Sequence, residues 1–176
     1  MKKPRPAYIL PDLLKPGLST VFCGTAAGPM SALLGHYYAH PQNKFWKALF
    51  ETEFTPRQLT PSEYPSLHEW GIGLTDIAKF TSGLDKDLPA ASLGRLACDD
   101  LRARIMACQP RTLAFTSLNA GRRFLGAKAV LGPQTDTIGA TAIWVLPSPS
   151  PLAGWNWDIG WWRKLARHHI AYKKSA

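Results

Sequence analysis

The sequence predicts an α/β fold with a mostly parallel sheet, and two observations favour this class. Residues 18–24 and 111–117 are short apolar runs containing β-branched residues, a composition typical of buried strands. Each run is followed by a stretch with helical features. Because strands alternate with helices along the chain, the strands are expected to pair in parallel beneath covering helices.

The segments around these strands carry ordinary helix and loop signals. Residues 1–17 contain four prolines and form an extended lead-in, with Lys2, Lys3 and Arg5 as a small basic arm. Residues 80–92 predict a surface loop. Helices are expected from apolar spacing, or from a glycine that ends a short helical stretch, at residues 31–34, 43–53, 61–70, 93–108, 119–125 and 159–172.

A hairpin is predicted near the end of the domain. Its arms are residues 135–138 and 141–146, and the chain turns at Gly139 and Ala140. The second arm has the strongest strand signal in the chain. Residues 147–154 follow, and their three prolines exclude both strand and helix because proline removes a donor and fixes the backbone.

Length and composition narrow the class of protein. A chain of 176 residues and 19.4 kDa predicts a single domain over residues 1–176. The cysteines Cys23, Cys98 and Cys108 are odd in number, widely spaced and not combined with histidines at zinc-ligand spacing. No apolar run approaches the roughly 18–20 residues of a membrane span, and the N-terminus lacks the features of a signal peptide. We therefore expect a reduced, cytoplasmic protein without metal, cofactor or membrane contact.

Basic residues outnumber acidic ones, 21 to 12, which gives a net charge of +9. This excess favours a polyanionic partner, nucleic acid before membrane, although a basic surface can also serve solubility alone. Within residues 159–176 there are five lysines and arginines and no acidic residue. The end of the chain is thus the strongest candidate for phosphate contacts.

Two unusual loops follow predicted strands, where ligands bind in open α/β sheets. Residues 24–28 are all small, which lets backbone N–H groups approach a flat or anionic ligand. Residues 147–154 form a rigid loop that carries Leu152 near its tip, as a wedge into a base stack requires. Between the two loops, Tyr37 and Tyr38 are candidates for an aromatic wall on which a nucleobase stacks.

Several motifs, in this order and with matching gaps, carry a resemblance to a known family. They are VFCGTAAG at 21–28, AHPxNxFWK at 39–47, FTxRQL at 54–59, GLT at 73–75, QP at 109–110 and IWVLPxPS at 143–150. The run resembles the mismatch-specific uracil/thymine DNA glycosylases of the uracil-DNA glycosylase superfamily. It covers roughly residues 18–153, whereas the tail from Trp155 onward matches poorly.

The resemblance implies a three-layer α/β/α sandwich and a DNA repair enzyme of the base excision type. Such an enzyme flips uracil out of the DNA and hydrolyses its N-glycosidic bond, leaving an abasic site without cutting the strand. It implies a monomer that acts on DNA containing uracil or another mismatched or deaminated base. Preferred lesion and strand preference stay open.

The sequence departs from this family at the water-positioning motif. The family has asparagine and proline where this chain has Ala26 and Ala27, and alanine can neither bind nor activate water. Ser148 stands where the family has a second asparagine, and residues 149–152 (PSPL) instead resemble the loop of the uracil-DNA glycosylases after which the superfamily is named. The first motif of the chain thus resembles one branch of the superfamily, and its second motif resembles another.

Three catalytic candidates remain. Asp76 follows GLT, at a position that lines the active site in the mismatch-specific branch, and Asn43 matches an asparagine shared across the superfamily. Ser148 occupies the second motif. Alternatively, no side chain activates water, and the pocket acts by stabilising the departing base anion.

The resemblance also assigns binding residues. Gly24, Thr25, Ala26 and Tyr38 match base-binding positions, with Tyr38 as the aromatic that stacks on the extruded base. Contacts to DNA are expected from Ser31, Ser150, Pro151 and Leu152, with Leu152 as the intercalating residue. The tryptophans at 155, 157, 161 and 162 serve either to pack the last helix or to stack on exposed bases.

The first functional hypothesis is therefore a monofunctional uracil-DNA glycosylase. The second is a catalytically impaired relative that binds uracil-containing or damaged DNA without excision, and Ala26 favours it. The third is a small-molecule α/β enzyme, which would show no salt-dependent affinity for DNA.

Overall fold

A computed structural model describes residues 7–175, with side chains through residue 170. Its centre is a five-stranded sheet in the order β2-β1-β3-β5-β4. All neighbouring strands are parallel except β4 and β5, which form the predicted hairpin. The strands are β1 (Thr20–Ala27), β2 (Ile72–Ser82), β3 (Thr112–Phe115), β4 (Gly132–Ile138) and β5 (Thr141–Val145).

Helices cover both faces of the sheet, so the fold is the expected three-layer α/β/α sandwich. The α-helices are α1 (Pro29–Leu34), α2 (Phe45–Glu51), α3 (Arg95–Cys108), α4 (Leu118–Leu125) and α5 (Ile159–Ser175). Short 3-10 segments are Pro61–Trp70, Asp85–Asp87, Ala90–Leu93 and Pro151–Asn156. All six predicted helical segments are present. Helices α2 and α3 are shorter than predicted, α1, α4 and α5 are longer, and residues 61–70 form a 3-10 helix with the predicted bounds.

The alternation of β1 divides the core into two parts, because successive side chains of a strand point to opposite faces. On one face, Phe22 meets Phe45 of α2 edge to face and stacks on Trp162 of α5, with ring centroids 5.4 and 5.6 Å apart. On the other face, Val21 and Cys23 join the side chains of α3 and α4. The three cysteines are buried free thiols.

Strand β2 is the main element that the sequence did not predict. Its polar residues Thr75, Asp76 and Lys79 interrupt the apolar pattern of a buried strand, yet all three are buried. Asp12 and Arg104 supply partners for this strand, which offsets the cost of burying polar groups. The predicted surface loop at 80–92 was therefore wrong at its start, because β2 continues to Ser82.

A second correction concerns the proline-rich loop. Residues 147–150 are irregular as predicted, but Pro151–Asn156 forms a 3-10 turn with a kink at Gly154. Proline is tolerated at the first position of a helical turn, where no N–H is needed. The Ser150 hydroxyl caps this turn by accepting the N–H of Leu152.

The lead-in lies along the outer edge of β2. The Ile9 N–H donates to the Lys79 carbonyl at 2.8 Å, and the Leu13 N–H donates to the Leu74 carbonyl at 2.9 Å. Residues 9–13 thus cover this edge. The basic arm at Lys2, Lys3 and Arg5 lies outside the described residues.

The strand order places a crevice at the centre of the sheet. From β1 the chain passes through α1 and α2 on one face to reach β2, whereas β3 lies on the opposite side of β1 and follows α3 on the other face. Loops leaving neighbouring strands in opposite directions open a crevice at their carboxyl ends, where ligands bind. The segments after β1 and β3 therefore define the expected site.

Candidate active site

A cleft of about 690 Å³ opens at this point, between the loops after β1, β2, β3 and β5. Every site residue predicted from the sequence lines it. These are Gly24, Thr25, Ala26, Ser31, Tyr38, Asn43, Asp76, Ser148, Ser150, Pro151 and Leu152. The fold therefore brings the candidates together, and the local contacts distinguish what each side chain can do.

Asp76 lies directly beside Gly24, because the two residues are partners in the parallel register of β1 and β2. A Cβ atom on residue 24 would come within 2.6 Å of the Asp76 carboxyl oxygen Oδ1. Only glycine permits this approach without displacing the carboxyl group. The prediction of a loop at residues 24–28 was wrong, because residues 24–27 continue β1 and pair with β2. The glycine at position 24 makes room for an acid in the neighbouring strand.

The residue Asp76 is 4% exposed, and burial raises the pKa of its carboxyl group to about 6. The positive charge of Lys79 opposes this rise, and the negative charge of Asp12 adds to it. Among the residues that the structure describes, none donates a hydrogen bond to either carboxyl oxygen. Asp76 is therefore a buried acid with room for a water molecule or a ligand as its partner.

A buried ion network holds the strand that carries Asp76. The Asp12 carboxylate accepts from Lys79 Nζ at 2.7 Å, from Thr75 Oγ1 at 2.6 Å and from Arg104 Nη1 at 3.3 Å. Arg104 also donates to the backbone carbonyl of Asp76 at 3.1 Å. The network fixes the backbone and supplies cations near the acid without pairing directly with its carboxyl group.

Tyr38 forms an aromatic wall of the cleft. Its ring stacks on Phe45 at a centroid distance of 3.9 Å, and its hydroxyl hydrogen-bonds to Thr116 Oγ1 at 3.1 Å. Its φ of 52° lies in the left-handed region, so a turn holds the ring in place. Burial raises the pKa of the Tyr38 hydroxyl well above its ordinary value, so the phenol stays neutral. Because Phe45 covers one ring face, a base can contact only the other face or the edge.

The Thr25 side chain forms a hydrogen bond that could not be predicted from the sequence. Its hydroxyl donates to Asp85 Oδ1, and the Asn119 amide donates to Asp85 Oδ2 at 2.5 Å. Asp85 thereby joins the loop after β2 to the ends of β1 and β3. Asn119 follows a strand end, and this position could have identified it as a site residue. Asp85 lies in the predicted surface loop, where nothing in the sequence indicated a role in the site.

The side chains of the other two catalytic candidates, Asn43 and Ser148, already form local hydrogen bonds. Asn43 Oδ1 accepts the backbone N–H of Phe45 at 2.9 Å, so its acceptor helps to start α2. Ser148 Oγ accepts the N–H of Ser150 at 3.2 Å within its own loop. Ala26 is half-buried and presents only a methyl group to the cleft.

The predicted DNA contacts line the rim and wall of the cleft. Leu152 is 73% exposed, as a wedge requires. The carbonyl of Pro149 accepts the N–H of Lys44 at 2.9 Å, which anchors the loop to the segment before α2. Ser31 is buried, and its Oγ accepts the N–H of Ala39 at 3.0 Å, so it also holds the loop that carries Tyr38.

The part of the chain that the structure describes has neither a membrane-spanning helix nor a cluster of metal-ligating side chains. No helix there is long and apolar enough to cross a membrane. No group of three or more histidine, cysteine, aspartate or glutamate side chains is placed there to hold a metal ion.

Comparison with protein families agrees with the geometry of the cleft. The family model described as "Uracil DNA glycosylase superfamily" matches residues 11–168, which is nearly all of the chain. Members of this superfamily are DNA glycosylases, hydrolases that act on DNA in repair. The match spans residues 24–28 and 147–154 of the cleft, the strand that carries Asp76 and the first part of helix α5. The chain belongs to the uracil DNA glycosylase superfamily.

Proposed function

We propose that this protein is a monofunctional glycosylase that hydrolyses the N-glycosidic bond of flipped-out uracil in DNA, with Asp76 holding the attacking water. The observation that carries the proposal is the buried Asp76 carboxyl group beside Gly24, without a hydrogen bond from the described residues. The proposed enzyme works as a monomer in the cytoplasm, without metal or cofactor.

The chemistry requires a negative group near the sugar. As the bond between the sugar C1′ and the base nitrogen breaks, its electron pair leaves with the base and positive charge develops on the sugar. An ionised Asp76 stabilises that cation and orients a water molecule whose oxygen bonds to C1′. The proton of the water passes to Asp76, and the base departs as an anion that solvent later protonates.

Asp76 offers this water a better partner than the other candidates do. Ala26 offers no hydrogen bond, and the Thr25 hydroxyl is already donated to Asp85. The Asn43 acceptor is occupied by the Phe45 N–H. Asp76 therefore takes over the role that an asparagine in the first motif has elsewhere in the family.

The proposed base pocket combines an aromatic ring with polar atoms. The base lies between the backbone of residues 24–26 and the free face or edge of Tyr38. The Asn119 carbonyl oxygen accepts no hydrogen bond from the described residues, while its amide is held by Asp85. This oxygen is available to the imide N–H of uracil, which specifies the base by hydrogen bonding.

The second candidate function is DNA binding without excision, and the alanine at position 26 is the observation that favours it. Its cleft and its wedge would be the same, but base release would be absent. The two functions differ only in whether an abasic product forms.

The test uses a labelled oligonucleotide with one uracil, single-stranded and paired with guanine or adenine. The wild-type protein is expected to yield an alkali-labile abasic product, and Asp76→Asn to lose at least about 100-fold in rate. Leu96→Ala changes an exposed side chain of α3 that does not line the cleft, and serves as the control. No product at high enzyme concentration, with DNA binding retained, would establish the non-excising function instead.

Asn43→Ala is measured separately from Asp76→Asn. Because Asn43 Oδ1 supports the start of α2, this variant is expected to lower stability and to reduce the rate only moderately. Full activity of Asp76→Asn combined with loss of activity in Asn43→Ala would transfer the water-holding role to Asn43. Full activity of both would favour catalysis by stabilisation of the base anion alone.

A further inference from the structure

The four tryptophans near the end of the chain have different surroundings. Trp162 is fully buried and donates its indole N–H to the Pro147 carbonyl at 3.1 Å. Trp157 and Trp161 are partly buried against the same core. Trp155, by contrast, is completely exposed. Packing explains three of the rings and leaves Trp155 without a structural role.

Trp155 stands on a turn that is fixed to the rim of the cleft. It shares the segment Pro151–Asn156 with Leu152, which is 73% exposed. Hydrogen bonds from Ser150 to Ser148 and from Leu152 to Ser150 stiffen the approach to this turn. Two large apolar side chains are thus held out to solvent three residues apart, beside the predicted entry point of DNA.

The surroundings of this turn suit a polyanion. Lys44 Nζ lies 5.5 Å from the ring centroid of Trp157, and Lys164 Nζ lies 4.0 Å from that of Trp161. Asp158, the only acidic residue between 151 and 170, accepts the N–H of Gly160 at the start of α5. The cations therefore lie against the two partly buried tryptophans that neighbour Trp155 in the sequence. Aromatic rings combined with nearby cations are the arrangement that stacks on nucleobases next to a phosphate backbone.

We propose that Trp155 stacks on the base of the opposite strand that is left unpaired when uracil is extruded. This inference rests on the proposed function, because it requires extrusion of a base. Leu152 fills the space that the extruded nucleotide leaves, and the indole covers the orphaned partner base. That base has lost its pairing, so an aromatic platform stabilises the extruded state of a duplex.

The test measures binding, so that it does not depend on turnover. Duplex and single-stranded oligonucleotides carry 2′-fluoro-2′-deoxyuridine, whose fluorine disfavours the sugar cation and prevents cleavage. Trp155→Ala is expected to weaken duplex binding about tenfold and to leave single-strand binding unchanged, while Trp155→Phe retains most of the affinity. Trp155 is fully exposed, so neither variant is expected to disturb folding. Leu96→Ala is the matched control on an exposed apolar side chain outside the cleft.

A fluorescent base locates the contact. With 2-aminopurine opposite the fluorinated uridine, binding of the wild-type protein is expected to quench its fluorescence, and Trp155→Ala to abolish this quenching. Equal losses on duplex and single strands would indicate stacking on a neighbouring base of the same strand and would overturn the inference. Unchanged duplex affinity would overturn it as well. Absence of excision by the wild-type protein, with Trp155-dependent quenching intact, would refute the proposed hydrolysis and leave the inference standing.

Discussion

At the scale of single residues, the site is organised around one acid and one glycine. Asp76 is buried beside Gly24, and its pKa is raised to about 6 because burial disfavours the charged form. Sequence reasoning could select Asp76 as a candidate, since it follows the GLT motif. It could not predict the burial, because that depends on a strand pairing that the sequence did not reveal.

The pH dependence of excision follows from this pKa. Water must be held by the ionised form of Asp76, so the single-turnover rate is expected to rise as pH increases through about 6 and to level off above it. The measurement is the rate of abasic-site formation between pH 4.5 and 8.5. Leu152→Ala is the companion variant, expected to be slower with the same midpoint. A rate that does not change across pH 6 would contradict a role for Asp76 as a base.

The same carboxyl group is expected to lower stability at neutral pH. Its pKa is about 6 in the folded chain and near 3.9 when unfolded, so the folded state favours the protonated form. The stabilisation from this proton is complete below about pH 4 and is lost as pH rises through 6. Asp76→Asn should therefore raise the free energy of unfolding by up to about 3 kcal/mol at pH 7.5, and by almost nothing at pH 4. Urea denaturation at the two pH values measures the difference, and an equal effect at both would contradict it.

At the scale of elements, the buried polar strand β2 depends on its partners. Lys79 has a side chain that is 2% exposed, and it pairs with Asp12 from the lead-in. Helix α3 contributes Arg104 to the same carboxylate. The network thereby joins the lead-in, β2 and α3, three segments that are distant in the sequence.

Removing the shared carboxylate is expected to destabilise the fold strongly. Asp12→Ala leaves Lys79 and Arg104 without their common acceptor, and breaking a buried pair in this way costs about 3–5 kcal/mol. Asp99→Ala, which removes an exposed pair with Arg95, is the control and should change stability by less than about 1 kcal/mol. Urea denaturation of both variants provides the comparison, and similar small losses would show that the network adds little.

Some elements of the fold could be predicted from the sequence and others could not. Strands β1 and β3, the hairpin and the long helices follow apolar spacing, and the structure confirms them. Strand β2 was missed because ion pairs with residues far along the chain compensate its polar side chains. The place of the cleft was predicted because ligand sites follow strand ends, although residues 24–27 continue β1 and are not a loop. Asn119 also follows a strand end. Asp85 could not be predicted, because its contacts exist only once the loop after β2 is in place.

At the scale of the whole molecule, the net charge of +9 has a location as well as a sign. Arg163, Lys164 and Arg167 are exposed on α5, the helix that directly follows the turn with Leu152 and Trp155. Charge on this helix can bind phosphates of any sequence, while residues 24–28 and 147–154 of the cleft, which carry no charged side chain, select the base. Affinity and selectivity are thus expected to respond to different substitutions.

Salt dependence tests this division. Affinity for the uncleavable duplex is expected to fall with salt, and changing both Arg163 and Arg167 to Gln should reduce the log–log slope by up to about 1.8. The preference for uracil over thymine should stay unchanged in this variant. Binding is measured between 50 and 300 mM NaCl. An unaltered slope would place the phosphate contacts elsewhere on the surface.

The segment of residues 9–13 along β2 has a consequence for self-association. An exposed strand edge presents free N–H and C=O groups that a second chain can extend into a larger sheet. At β2 these groups are partly occupied by Ile9 and Leu13. The opposite edge, β4, contains Pro133, which has no N–H, and Asp136, which pairs with Lys128. Both borders of the sheet therefore resist strand addition, and loss of the first thirteen residues would turn one of them into a template for aggregation.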